Sequence, residues 1–213
     1  MNKLDFHLVQ GLPAPGVFVR LPPDTEASLD RLPETLKRAN AAVRFAYLAE
    51  SSAEIIRVRA QDEIPMREAY LRASLGEFVS MEGTARRDFS ALGLQASPPM
   101  IRDSHSPLLH ALRELRNVNF HLATSGIRED SKPVTWHFDG QDHHLDYSLT
   151  LVDGFTLDQF MASQNAKYYD PDDVRRIVDW FAREQKEWGV PHLIVLAVGQ
   201  YADTLIAQLQ RAA

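Results

Sequence analysis

The sequence predicts a mainly α, single-domain helical bundle carrying a Pro-rich N-terminal arm and one inserted β-hairpin. Three observations predict it. Residues 34–60 contain neither Gly nor Pro, and Leu36, Ala39, Val43, Ala46 and Tyr47 recur at helical spacing. The period switches to two only between Pro133 and Leu151, where apolar and polar residues alternate. The 213 residues are 45% hydrophobic and 24% charged, values of an ordinary globular chain long enough to bury a core by itself.

Taken in order, residues 1–33 read as the extended arm, because residues 11–33 hold five prolines, which remove donors and forbid helix interiors. Val17-Phe18-Val19 is the one short strand expected there. Residues 34–213 form the helical domain. Its first helix runs from Glu34 to about Ala60. Pro65 opens a second at its first turn, with Tyr70, Leu71, Leu75, Phe78 and Val79 inward, ending near Gly93. Ser106-Pro107 caps and starts a third, ending near Ala123, with Leu108, Leu112, Leu115 and Leu122 buried. The hairpin is expected over about 133–151, turning at Asp139-Gly140. Helices then resume over about 156–211. Thr156 and Gln159 have the spacing of a capping box, and Asp170-Pro171-Asp172-Asp173 combines a cap, an N1 proline and acids. Gly189 ends one helix and Pro191 opens the last. That helix is apolar nearly all round from His192 to Val198, as befits a core centre or a subunit interface.

Composition excludes several chemistries. With no cysteine there is no disulfide, zinc thiolate, iron–sulfur ligation or thiol nucleophile, and a cytoplasmic location is expected. The start of the chain lacks the apolar run of a signal peptide, and no membrane span is expected. The net charge is −6, from 23 basic and 29 acidic residues. It is unevenly placed: residues 1–132 hold 17 of each sign, and the rest hold 6 basic against 12 acidic. Phosphate loops, dinucleotide fingerprints, nucleophile elbows and His-Glu-x-x-His are absent from the sequence.

Two constellations remain. The first is Arg116-Asn117-Val118-Asn119-Phe120-His121, late in the third helix. Here the chain resembles the HEPN superfamily, all-helical proteins whose signature is an arginine, a polar follower and a histidine a few positions on. The resemblance covers roughly residues 34–125. It implies a homodimeric, metal-independent endoribonuclease needing no cofactor, of the kind found among toxins and antiphage effectors. Arg116 and His121 would be the catalytic pair at the subunit interface and Asn117 would support them, with RNA as substrate and a protein antitoxin as a further partner.

The residue types suit that chemistry. Histidine titrates near neutrality and moves protons, whereas arginine stays charged and offers a planar fork to phosphate oxygens. Positions five apart on a regular helix lie about 140° apart around its axis, so Arg116 and His121 converge best across a two-fold axis. His110, Arg113, Asn117 and His121 instead share one side of the helix, which nominates Arg113 and His110 as substrate-binding. The same strip also suits a non-catalytic binding or scaffold protein that holds a partner or small ligand. In a plainer reading, Arg116 pairs with Glu77 or Glu82 and His121 is a last-turn residue favoured by the helix dipole.

The second constellation surrounds the hairpin: His137, Asp139, Asp142, His143, His144 and Asp146. Alternation puts His137, His144 and Asp146 on its polar face, a divalent-metal set in a weaker alternative, the bland version being a solvated face. Trp180 and Trp188 are expected in the core or an interface.

Overall fold

The computed structural model describes residues 3–6, 21–55, 60–121 and 126–212. Among them run α1 (Pro23–Leu29), α2 (Pro33–Ile55), α3 (Ala60–Ala91), α4 (Pro107–His121), β1 (Ile127–Phe138), β2 (Gln141–Val152), α5 (Leu157–Ala162), α6 (Pro171–Trp188) and α7 (Val190–Ala212). Single 3-10 turns sit at Ile101–Asp103 and Ala166–Tyr168. This is the mainly α bundle with one inserted hairpin.

Long helices α2 and α3 pack on each other, and α7 touches α1, α2, α3, α4, α6 and β2. The all-round apolar start of α7 therefore lies in the core of its own chain. Leu193, Ile194, Ala197, Val198, Ala202 and Leu205 are fully buried. Tyr201 is buried with them and donates its hydroxyl to the Pro99 carbonyl at 3.0 Å. Over 18 residues α7 reaches a mean hydropathy of 1.3, so among the described helices it is the one long and apolar enough to cross a bilayer by length and composition. Slightly more than half of that window, 56%, is covered by the rest of the fold, as in a core helix.

Asp88 ties α3 to the start of α2. Its Oδ2 accepts from both the backbone N–H and the hydroxyl of Thr35, each at 2.8 Å. Thr35 lies in the first turn of α2, where backbone donors have no partner within the helix. Beside this joint, Arg38 grips both oxygens of Glu77 at 3.0 and 2.7 Å.

Three boundaries differ from expectation. Residues 23–29 of the expected arm are helical: two prolines can begin a helix, Asp24 and Glu26 favour its first turn, and Leu29 buries its inner side. Leu21 and Leu32 flank it, both buried. The expected strand at residues 17–19 lies outside the described residues. Helix α3 starts at Ala60, so Pro65 is not in its first turn. The hairpin starts at Ile127, six residues before the apolar alternation, because the polar run Arg128 to Lys132 is held in register by β2. Opposite it stand Leu149, Thr150 and Leu151, all buried.

At the hairpin tip Asp139 (φ 51°) and Gly140 (φ 73°) both take positive φ, the two-residue turn whose twist matches antiparallel strands. At its base the Gln185 side chain of α6 brackets Val152, accepting from its N–H at 3.0 Å and donating to its carbonyl at 3.3 Å. Two of the three expected caps are present. Thr156 and Gln159 make the reciprocal capping box of α5, and Asp170 accepts from the Asp172 N–H at the start of α6. Gly189 ends α6 at φ 76°, where a Cβ would stand 3.3 Å from Leu149 Cδ2.

Candidate functional site

Helix α4 begins where expected, although the Ser106 hydroxyl donates to Gln200 Oε1 at 2.7 Å. Its Leu108, Leu112 and Leu115 are fully buried, as expected; Leu122 lies outside the described residues. The helix runs unbroken through position 121, so positions 116 and 121 keep their wide angular separation within one chain. The His121 side chain lies outside the described residues. Arg116 is half-buried and donates to Asn117 Oδ1 at 3.3 Å. Of the two acids proposed as its partners, Glu77 holds Arg38, and Glu82 holds Arg86 at 2.9 Å and the Ile101 N–H at 3.2 Å.

The polar strip is split by burial. His110 has no exposed surface, and its role as a substrate-binding residue is corrected: both ring nitrogens are committed inside the protein. Nε2 stands 3.0 Å from the Ser104 carbonyl, which only accepts, so Nε2 carries the proton. Nδ1 then accepts from the Tyr169 hydroxyl at 2.9 Å. Burial lowers the His110 pKa below the usual histidine value, keeping it neutral. An aromatic chain fixes this corner: Tyr169 meets His110 and Phe160 edge-on, and Phe155 joins Phe160 to Phe181 of α6.

The centre of the site is a residue absent from the sequence-based set, Glu114. It is fully buried, one turn beyond His110. Its two oxygens accept from Asn165 Nδ2 at 3.0 and 3.2 Å, and Asn117 Nδ2 donates to Oε2 at 3.3 Å. Desolvation raises the Glu114 pKa, and the two amides oppose that rise. A lone acid between Leu112 and Leu115 is the signal that sequence offered, since a buried carboxyl must be satisfied by partners from elsewhere in the fold.

Two cavities meet at this network. One, about 420 Å³, lies between α4 and α5 and is lined by Asn117, Val118, Gln159, Ser163, Gln164 and Asn165 among others. The other, about 240 Å³, is lined by Arg102, Asp103, Arg113, Glu114, Tyr168 and Tyr169, and it shares Asn165 with the first. Arg113 and Asn117 thus each line a cavity. Tyr168 is 57% exposed, unusual for a ring of its size. A third cavity of about 450 Å³ lies across the 3-10 turn at Ile101–Asp103, between that segment and α7, and is mostly apolar.

The hairpin histidines do share a face, since His137 pairs with Asp142, Thr135 with His144 and Pro133 with Asp146. Each is used locally: His137 contacts Asp142, and His144 Nδ1 is 3.2 Å from Thr135 Oγ1. No group of three His, Cys, Asp or Glu residues suited to a metal ion occurs among the described residues, so the trio of His137, His144 and Asp146 does not assemble. Trp180 is core, edge-on to Phe6, and Trp188 stacks on His192.

No family model matches this chain, and no curated protein or solved structure matches it either.

Proposed function

We propose that the protein is a homodimeric, metal-independent endoribonuclease of the HEPN kind, with Arg116 and His121 as the catalytic pair and Asn117 in support. The observation that carries this reading is the Arg116 to Asn117 hydrogen bond beside the cleft that Asn117 lines. It joins two of the three motif positions, both half-buried, beside a cavity large enough for part of a ligand. Two-fold pairing brings His121 of each chain to Arg116 of the other, which the angle along α4 disfavours within one chain. A cytoplasmic toxin or antiphage role, with a protein antitoxin, belongs to the same proposal.

In the reaction the ribose 2′-oxygen attacks phosphorus as a histidine takes its proton. The bond to the 5′-oxygen breaks, and that oxygen is protonated as it leaves. Arginine neutralises the extra charge on the phosphoryl oxygens. Products are a 2′,3′-cyclic phosphate and a 5′-hydroxyl. The test is cleavage of a fluorescent RNA by Arg116→Ala and His121→Ala proteins in EDTA. Each substitution is expected to lower the rate by at least about 10²-fold with melting temperature unchanged. Wild-type protein that never cuts RNA, or variants that cut normally, refute the reading.

A second reading is a non-catalytic protein that binds a small polar ligand. It is favoured by the Glu114 network, which holds two amides in fixed orientation at the cleft wall. It predicts ligand binding without turnover.

A further inference from the structure

We infer that the cleft between α4 and α5 selects the base beside the scissile phosphate, favouring bases that carry an exocyclic amino group over uracil. The inference rests on the endoribonuclease reading and adds to it a substrate preference.

The cleft adjoins the phosphate position because Asn117 belongs to both: it lines the cavity and accepts from Arg116. Apolar Val118 and Ala162 share its lining with four uncharged polar side chains, Gln159, Ser163, Gln164 and Asn165. Amides of this kind read the edges of bases, whereas phosphate demands cations. Orientation makes the reading selective. Both Asn117 and Asn165 turn their NH₂ groups toward the Glu114 carboxyl oxygens. Asn117 Oδ1 is then used by Arg116, and Asn165 Oδ1 is left as a fixed acceptor on a residue that lines both cavities. A fixed acceptor rewards adenine and cytosine, whose amino groups donate on the pairing edge, whereas uracil offers it only N3–H, flanked by two carbonyls that repel an acceptor.

The neighbouring cavity suits the rest of a single strand. Exposed Tyr168 offers a stacking face, with Lys167 Nζ 5.0 Å from its ring centre. Arg102 and Arg113 face Asp103 and Glu114 there, so this cavity is close to neutral, and stacking rather than bulk charge holds the strand. That agrees with a chain of net charge −6 that has no call for tight non-specific RNA binding.

The test separates base selection from cleavage. Binding of 2′-O-methyl hexanucleotides A₆, C₆ and U₆, which lack the nucleophile, is measured by fluorescence anisotropy with wild-type, Asn165→Leu and Tyr168→Ala proteins. Their folding is checked by melting. A₆ and C₆ are expected to bind about tenfold more tightly than U₆. Asn165→Leu should abolish that difference, and Tyr168→Ala should weaken all three alike. Equal affinities in the wild type, no binding of any hexamer, or a preference that survives Asn165→Leu overturns the inference. Cleavage of mixed-sequence RNA is followed in parallel. RNA cut without base preference leaves the nuclease standing and removes the cleft inference. A₆ preference in a protein that cuts nothing removes the nuclease and leaves the cleft as a base-binding site.

Discussion

Asn165 Nδ2 donates to both carboxylate oxygens of Glu114, at 3.0 and 3.2 Å, and so joins the middle of α4 to the loop that follows α5. Glu114 is fully buried with a raised pKa, so the native state holds its proton more tightly than the unfolded chain does. Stability from this group is therefore present at low pH and declines as pH rises from the unfolded carboxyl value through the native one. Glu114→Gln should stay within about 1 kcal/mol of wild type at pH 7 and flatten that decline. Glu114→Ala leaves two amides without their acceptor and should cost about 1–3 kcal/mol. Denaturant unfolding at pH 5 and pH 8 measures both.

His110 is expected to be structural. His110→Ala should destabilise the protein by about 2 kcal/mol, since it strands the Tyr169 hydroxyl and the Ser104 carbonyl. Because burial lowers its pKa, its contribution is complete above the ordinary histidine value and is lost as pH falls through the native one. Nitrogen NMR of the ring should show the Nε2–H tautomer at neutral pH.

Glu50 supplies a third pH-dependent contribution. Desolvation raises its pKa to about 7, opposed by Tyr147 and by the Arg67 charge. Ionising it in the fold is unfavourable, so stability falls as pH rises from about 4.5 through 7. Relative to Glu50→Gln, wild type should lose about 3 kcal/mol between pH 5 and pH 9, on the order of 1.4 kcal/mol for each pH unit of displacement. The difference between their unfolding free energies across that range is the readout, and a flat difference would contradict it.

Asp88 should be among the costlier polar residues to remove. It is 5% exposed and satisfies two donors of Thr35 from 53 residues away. Asp88→Ala should cost about 2–3 kcal/mol, because a first-turn N–H and a hydroxyl both lose their acceptor in a buried joint. Asp88→Asn keeps one acceptor oxygen and should cost less. Urea midpoints at unchanged slope would report this loss.

Where local chemistry decides, the fold was legible. The Thr156 and Gln159 box, the Asp170-Pro171 start, the Asp139-Gly140 turn and the Gly189 stop each follow from a few adjacent residues, and all are present. Elements misplaced from sequence depend on distant partners. Polar residues 128–132 form strand because β2 lies beside them, and Pro22-Pro23 opens a helix because Leu29 has a core to enter. The site divides the same way. Arg113, Asn117 and Arg116 were visible as residue types at helical spacing. The burial of His110 and the central place of Glu114 were not, because neighbours from 159–169 decide which side of α4 is covered.

By itself the sequence determined a mainly helical domain broken by one hairpin, a last helix apolar nearly all round at its start, and a His/Arg/Asn strip on α4. Periodicity, caps and turns act over a few residues and are written locally. The tertiary structure decided which of those side chains meet a cavity and which are sealed. Burial and hydrogen bonding to Glu114 come from Asn165, 51 residues away, and no spacing rule along the chain encodes a contact of that separation.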